Sequence, residues 1–376
     1  MLGFFVMGFC DIVGMSSDYV QRSFGWSATM TGFVPSMVFI WFLFLSIPFA
    51  NVMNRIGRKN TVIVSLIVTV AGMLLPLFYY DTVTCVLAFA LLGIGNTIIQ
   101  VSLNPLVTNV IKNKRYLTSS LTAGQVVKAV SSLCGPEIVI LAVHQWGEEK
   151  WFYCFPILGL ITIITGIWLW ATPIEKEHVD APDLSFAATF SLLKNGKILM
   201  LFLGILFIVG LDVSVNFISS KLMMTRFSWT AADAKFAPQF YFLFRTIGAL
   251  LGSYWLTRVS ETRYFRINIV LCIVSILVLW MSSEPHVSMV AISAIGFFAS
   301  SVFSIIYSVA MQICPDKAND ISGLMMTAVS GGAVITPVIG FCISRYGVTS
   351  SVLVILVCAL YLALCAFTVN DKALTT

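Results

Sequence analysis

Two aspartates lie inside apolar runs of the sequence, where a carboxylate is unfavourable unless it faces a partner or a water-filled cavity. Asp11 falls in the first run and Asp212 in the seventh. Burial disfavours the charged form of a carboxylate, so an aspartate in this setting can bind and release a proton as water access changes. We predict that at least one of the two couples proton movement to another process. A static ion pair is the alternative, with Lys128 as the obvious partner.

Two cations and two amides accompany these aspartates within apolar runs. Lys128 shares a helical face with Gln125, and Asn216 lies one turn beyond Asp212 on the same face. Lys128 could bind a substrate carboxylate or compete with the proton of a neighbouring aspartate. Arg245 could reach either the substrate or a carboxylate. We predict that four of these residues bind substrate: Gln125, Lys128, Asn216 and Arg245. For the two cations, contact with substrate and contact with a carboxylate of the protein both stay open.

A stripe of amides runs through the fourth apolar segment at a strict spacing of four residues. Asn96, Gln100 and Asn104 would stack along one side of a helix. Amides donate and accept hydrogen bonds together, which suits vicinal hydroxyl groups, although they also join packed transmembrane helices. Asn104 could instead satisfy the carbonyl that Pro105 leaves without a donor. A matching serine series in the tenth segment supports substrate binding: Ser300, Ser304 and Ser308.

The elements that position these side chains must be membrane helices. The chain is 59% hydrophobic and 10% charged, with a mean hydropathy of +0.95, far from the mix of a soluble domain. Apolar runs long enough to cross a bilayer recur from end to end. We count twelve, centred near Met7, Ile40, Val70, Ile98, Val130, Leu160, Phe207, Leu250, Ser275, Phe303, Val334 and Leu360.

The two halves of the chain repeat each other. The segment FGWSATMTGF at 24–33 returns as FSWTAADAKF at 227–236, a shift of 203 residues. The same shift pairs Pro35 with Pro238, Arg55 with Arg258, Gly93 with Gly296, Ser119 with Ser322 and Leu121 with Leu324. Six spans separate each copy from its mate, so both halves insert in one orientation. We therefore predict an all-α membrane protein of twelve transmembrane helices in two parallel six-helix repeats.

The longest polar stretch separates these halves. We predict an N-terminal bundle at 1–172, a linker at 173–197 with a short helix in LSFAATFSLLK, and a C-terminal bundle at 198–376. Basic residues concentrate in alternate connections, such as Arg55, Arg58 and Lys59 after the second run. This bias places both termini in the cytoplasm. We expect a multi-pass protein of the inner membrane, without nucleic-acid partners and monomeric.

Residues that would support an enzyme or a metal site are missing from the sequence pattern. The nine cysteines are scattered singly without a CxxC pair, and the three histidines lie far apart. No nucleophile, metal-ligand cluster or acid and base pair has a workable spacing. We therefore predict neither enzymatic activity nor a cofactor or metal.

The segment NRIGRK at 54–59 resembles the D-R-x-G-R-K signature of the major facilitator superfamily. Within that superfamily the whole chain is similar to the fucose, galactose and glucose proton symporters. The matching segments are QVSLNP at 100–105, GQVVKAVSSLCGP at 124–136, GLDVSVNF at 210–217, FRTIGALLG at 244–252 and GGAVITPVIG at 331–340. The resemblance implies a two-bundle fold, sugar transport with protons, and a gating role for Asn54, Arg55, Gly57 and Arg58.

Three positions depart from the pattern of that group. Asn54 replaces the acid that opens the signature, and Gln100 stands where the symporters have an acidic residue. Lys128 occupies a position where they have a neutral amide. These departures weaken or rebuild the gating charge relay and remove one candidate proton carrier, and they leave the identity of the sugar and the route of the proton open.

The sequence thus predicts a secondary transporter that imports a monosaccharide, or a related sugar or sugar acid, by proton symport through alternating access. Asp11 and Asp212 are the coupling candidates, and the amides, cations and Ser304 named above are the binding candidates. A proton-coupled multidrug exporter of the same superfamily is one alternative. A transport-inactive sensor or scaffold, favoured by Asn54 and Gln100, is another.

Overall fold

The computed structural model describes residues 1–11, 16, 19–20, 23–25, 28–111, 113–175, 186–234 and 236–369. Within these ranges the chain forms α-helices and short 3-10 turns, with no strand. The helices of the first half are α1 (Leu2–Met7), α2 (Ala28–Ile56), α3 (Arg58–Phe78), α4 (Thr82–Val110), α5 (Lys114–Trp146) and α6 (Cys154–Ala171).

The second half begins after a short helix in the predicted linker. That helix, α7 (Phe186–Ser191), continues as a 3-10 turn to Lys194, where the sequence predicted a helix. It is followed by α8 (Gly196–Phe227), α9 (Ala231–Ala234), α10 (Phe236–Trp255), α11 (Glu261–Met281), α12 (Pro285–Ala299), α13 (Val302–Ile313), α14 (Ala318–Thr327), α15 (Gly331–Tyr346) and α16 (Thr349–Thr368).

Ten stretches of the described chain are long and apolar enough to cross a membrane. They correspond to ten of the twelve predicted spans. Of the other two, the eighth is the 20-residue helix α10, and the first is described only in part. The first described stretch is α1, which passes into a 3-10 turn at Gly8–Asp11.

Two of the long spans are interrupted near their middle. The tenth changes from α12 to α13 at Ser300 and Ser301, and the eleventh passes through a 3-10 turn at Ala328–Ser330 between α14 and α15. Close packing accompanies the first break, because a Cβ on Gly248 of α10 would lie 2.3 Å from the carbonyl oxygen of Phe297. Interrupted helices expose backbone groups that can bind a solute, as they do in many transporters.

The chain packs into two compact units, and each contains a segment from the opposite half of the sequence. The first unit comprises 1–112, 124–189 and 316–327, and the second comprises 113–123, 190–315 and 328–376. The exchanged segments, 113–123 and 316–327, begin at positions that are related by the same shift of 203 residues as the sequence repeat. The domain boundaries at 172 and 198 remain a prediction about which parts move together.

In the first unit, the exchanged segment 316–327 satisfies a defect in α4. Pro105 has no N–H, so the carbonyl of Val101 loses its helical donor. The Ser322 hydroxyl donates to that carbonyl at 2.6 Å, whereas the Asn104 amide donates to the Gln100 carbonyl at 2.9 Å. The alternative in which Asn104 satisfies the freed carbonyl is therefore wrong, and α14 is joined to α4 by a buried hydrogen bond.

Candidate functional site

Asp212 in the second unit is held by two side chains of α10. The Tyr241 hydroxyl donates to Oδ1 of Asp212 at 2.6 Å, and an Arg245 nitrogen lies 2.9 Å from Oδ2. Tyr241 is fully buried, whereas the Asp212 and Arg245 side chains are 23% and 39% exposed. One contact is a hydrogen bond from a neutral phenol and the other is an ion pair with a charged guanidinium. The cluster is therefore dry on the tyrosine side and open to a solute or to water on the other.

This cluster corrects the expected pairing of Asp212. The ion-pair partner of Asp212 is Arg245 and not Lys128, because α8 and α10 pack together within the second unit. Tyr241 was not among the residues predicted for the site, although its spacing of four residues from Arg245 places both on one face of α10. Asn216, one turn beyond Asp212, is half-buried.

The first unit brings the helix of Lys128 against the segment that ends at Asp11. A Cβ on Gly8 would lie 2.5 Å from the Lys128 carbonyl oxygen, so the two backbones are in contact there. The Lys128 and Gln125 side chains are half-buried. Asp11 ends the 3-10 turn three residues after Gly8, and its side chain lies outside the described part of the chain.

The amide stripe of α4 is largely closed on itself. Gln100 donates to the Asn96 side-chain oxygen at 3.3 Å, and Asn96 and Gln100 are each 7% exposed. Asn96 also lines a cavity of about 10 Å³ together with Phe9 and Thr69, which is large enough for about one water molecule. Asn104 is 1% exposed, and its side-chain oxygen has no hydrogen-bond partner among the described residues.

The serine series of the tenth span serves three different purposes. Ser300 donates to the Phe297 carbonyl beside the helix break. Ser304 is buried, and its hydroxyl has no partner in the described part of the chain. Ser308 lies 2.6 Å from the Thr118 hydroxyl of the exchanged segment 113–123. Ser304 is therefore the member that still has hydrogen-bonding capacity for a solute.

Arg58 of the predicted gating motif is buried and joins three helices of the first unit. Its Nε donates to Asn319 at 2.7 Å, and one terminal nitrogen donates to the Pro105 carbonyl at 3.1 Å, to Thr108 at 2.8 Å and to Asn109. We call these residues the Arg58 cluster. Because Asn319 lies on the exchanged segment 316–327, this cluster fastens α14 to α3 and α4.

The other residues of the motif support the Arg58 cluster unequally. Gly57 has a φ of 89°, a conformation that favours glycine, and it turns the chain between α2 and α3. Asn54 accepts a hydrogen bond from the Asn319 amide at 2.7 Å. Arg55 is exposed. Asn54 and Arg58 therefore hold the same asparagine from two sides.

The second unit contains a cluster at repeat-related positions but with the opposite charge. Glu261, which follows Arg58 by 203 residues, accepts hydrogen bonds from Thr118 and, at 3.2 Å, from Gln312. Gln312 follows Asn109 by the same shift, and Thr118 lies on the exchanged segment 113–123. Each unit thus holds its exchanged segment through one charged residue at the start of the third membrane span of its repeat. This residue is the buried Arg58 in the first unit and the half-buried Glu261 in the second.

Asp320 gives a physical reason for the amide at position 54. The Asp320 carboxylate is buried, accepts from Thr189 of α7 at 3.4 Å and interacts with the Asn54 side chain. An acid at position 54 would place two carboxylates together in a site with little water, where like charges repel. The acid expected at position 54 is thus supplied by the exchanged segment, at position 320.

We predict that Asn54→Asp lowers the melting temperature and the uptake rate, the latter by roughly tenfold for about 1.4 kcal/mol of repulsion. The double variant Asn54→Asp, Asp320→Asn should recover most of both losses, since it carries one carboxylate again. Thermal unfolding in detergent and initial uptake rates in vesicles measure the two effects. Equal defects in the single and double variants would disprove the repulsion.

Comparison with known proteins agrees with this architecture. The model of the Major Facilitator Superfamily matches residues 1–337, and again residues 200–375. The chain belongs to the Major Facilitator Superfamily. A glucose/galactose transporter of Brucella abortus is 25% identical over 378 residues, covering 96% of this chain and 90% of that transporter.

Solved structures show the same fold. FucP in an outward conformation superimposes with a TM-score of 0.84 at 16% identity, covering 98% of each chain. The proton:xylose symporter XylE superimposes with a TM-score of 0.77 at 11% identity, covering 98% of this chain and 93% of that one. The predicted all-α major facilitator fold of a multi-pass membrane transporter is confirmed.

Proposed function

We propose that this transporter imports a monosaccharide, or a related sugar or sugar acid, together with a proton. The observation that carries the proposal is the Asp212 site, in which one carboxylate is shared by a buried phenol and an accessible guanidinium. Two similar proteins, the glucose/galactose transporter of Brucella abortus and the proton:xylose symporter XylE, favour the same class of substrate.

The mechanism we propose exchanges the partner of Arg245. While Asp212 is ionised, it holds Arg245 at 2.9 Å. Protonation of Asp212 removes the charge that holds the guanidinium, and Arg245 can then donate to sugar hydroxyls or to a sugar carboxylate. Proton and substrate thus bind together. The proton on Asp212 frees Arg245 for the substrate, and the substrate on Arg245 keeps the guanidinium away from Asp212. Asn216 and Ser304 are proposed to complete the site in the second unit.

The first unit is proposed to contribute Lys128, Gln125 and the α4 amides, with Asp11 as a second proton carrier. The Arg58 cluster and the hydrogen bonds of Glu261 with Thr118 and Gln312 are proposed to hold the transporter in one conformation. They must open for the cytoplasmic side to be reached, since alternating access requires the two bundles to move as nearly rigid bodies. We propose a bacterial inner-membrane location with both termini in the cytoplasm.

The test is transport by the full chain in proteoliposomes with an imposed proton gradient. Glucose, galactose, fucose, xylose and glucuronate are offered in turn, and the expected result is gradient-driven accumulation of at least one of them. Lys128→Ala should impair a sugar acid more than a neutral sugar if the lysine binds a carboxylate. Binding without counterflow would instead indicate a sensor, and efflux of unrelated lipophilic compounds would indicate a drug exporter.

A further inference from the structure

An apolar groove of about 670 Å³ lies within the second unit, between α10 and α12. One wall is an aromatic row at a spacing of four residues, Phe236, Phe240 and Phe244, and the other includes Val290 and Phe297. Its volume is in the range of ligand sites. The groove is separate from the Asp212 site, none of whose three residues lines it.

The groove has the depth of one bilayer leaflet. At 1.5 Å per residue, its lining runs about 12 Å along α10, from Phe236 to Phe244, and about 18 Å along α12, from His286 to Phe298. Half of a hydrocarbon core of about 30 Å is about 15 Å. The groove therefore matches the span of an acyl chain from the boundary of the core to its middle.

The surface of the groove is suited to hydrocarbon. Val290 is 69% exposed, Phe236 44% and Phe240 41%, so no described residue covers them. In a chain that spans a membrane, an open row of aromatic and aliphatic side chains faces acyl chains. A groove of this depth holds a chain more firmly than a flat helix surface, because the chain makes contact on two sides.

Charged and hydrogen-bonding groups occur at the loop end of the groove, where a lipid headgroup would lie. Asp233 is exposed, and it accepts from the Thr230 hydroxyl through Oδ2 at 2.6 Å. The exposed His286 imidazole provides an N–H donor. Trp229 lies beside them, as tryptophans do at the membrane boundary. The set matches a zwitterion, with an ammonium group for Asp233 and a phosphate for His286.

We propose that this groove is a binding site for an aminophospholipid of the phosphatidylethanolamine type. One acyl chain lies along Phe240 and Phe244, the ammonium group contacts Asp233, and the phosphate accepts from His286. The lipid comes from the leaflet on the side of the loop between α8 and α10. The site is independent of the sugar chemistry, because it uses neither Asp212 nor Arg245.

Trp229 provides a built-in reporter for the acyl chain. The full chain is reconstituted in phosphatidylcholine vesicles that contain a minor fraction of either phosphatidylethanolamine or phosphatidylcholine, with bromine on the acyl carbons next to the ester group, the part of the chain that would lie nearest to Trp229. Bromine quenches an indole on contact, and the difference between the wild type and Trp229→Phe isolates this tryptophan from the other eight of the nine. The expected result is quenching of Trp229 at a several-fold lower fraction of the brominated ethanolamine lipid.

Matched variants test the binding of the acyl chain and the binding of the headgroup separately. Ala294→Phe fills the groove and should remove the quenching, whereas Ala363→Phe on α16, outside the groove, should not. Asp233→Asn should reduce the ethanolamine preference by roughly fivefold, because the ethanolamine ammonium donates hydrogen bonds to the carboxylate and the choline ammonium has no N–H; quenching by the choline lipid should change less. Equal quenching by both lipids in the wild type would overturn headgroup selection. No quenching of Trp229, or quenching that survives Ala294→Phe, would overturn the site.

Discussion

Asp212→Asn is expected to abolish gradient-driven accumulation while sugar exchange continues. Asparagine cannot carry a proton, so the substrate should only equilibrate across the vesicle membrane. It keeps the shape of the side chain and can still accept from Tyr241, whose hydroxyl lies 2.6 Å from Oδ1 in the wild type. The lost ion pair is partly exposed and is worth about 0–1 kcal/mol, so exchange should fall by no more than about fivefold.

Two companions show whether the carboxylate acts through its charge. Tyr241→Phe removes one hydrogen bond and leaves the proton carrier, so accumulation should be slower but still exceed equilibration. Arg245→Gln keeps a donor but no cation, and it should weaken substrate binding more than Asp212→Asn does. Glu284→Gln, a loop carboxylate in the same unit, is the control and should behave like the wild type. Undiminished accumulation by Asp212→Asn would transfer the coupling role to Asp11.

Arg58→Ala is expected to give the second-largest effect, a loss of uptake of more than tenfold with a lower melting temperature. Arg58 is 7% exposed and donates to four acceptors, so alanine removes one donor from each of Asn319, Thr108, Asn109 and the Pro105 carbonyl. Hydrogen bonds to a charged group contribute about 1.5–3 kcal/mol each and are not additive. A net loss of about 2–4 kcal/mol would shift the balance between conformations by roughly thirtyfold or more.

The neighbouring arginine provides the matched control for this variant. Arg55→Ala removes an exposed cation from the same motif and should reduce uptake much less than Arg58→Ala does. Arg58→Lys keeps the charge. Lysine has only one side-chain nitrogen, which cannot donate to Asn319 and to α4 in the way that the separate nitrogens of arginine do, so this variant should restore little of the uptake. Uptake and thermal unfolding are measured for all three. If Arg58→Ala behaved like Arg55→Ala, the Arg58 cluster would have no role in holding the conformation.

The class of protein and the order of its elements follow from the sequence. Hydropathy is a sum over neighbouring residues, so the membrane spans, the polar linker and the repeat of 203 residues are all visible without coordinates. The same local logic identified Asp212 as unusual, because a charge in an apolar run is unfavourable wherever the helix packs. Arg58 was identified by the resemblance of NRIGRK to a family signature. The local sequence also predicted the short helix at Phe186–Ser191.

The partners of these side chains depended on the tertiary structure. Asp212 pairs with Arg245 and not with Lys128, Ser322 rather than Asn104 satisfies the Val101 carbonyl, and Asp320 explains the amide at position 54. Each contact joins residues of different helices, and hydropathy gives no information about which helix faces which. The sequence by itself determined which groups must find a partner in the membrane. Only the packing of the helices, including the exchanged segments 113–123 and 316–327, decided which partner each one found.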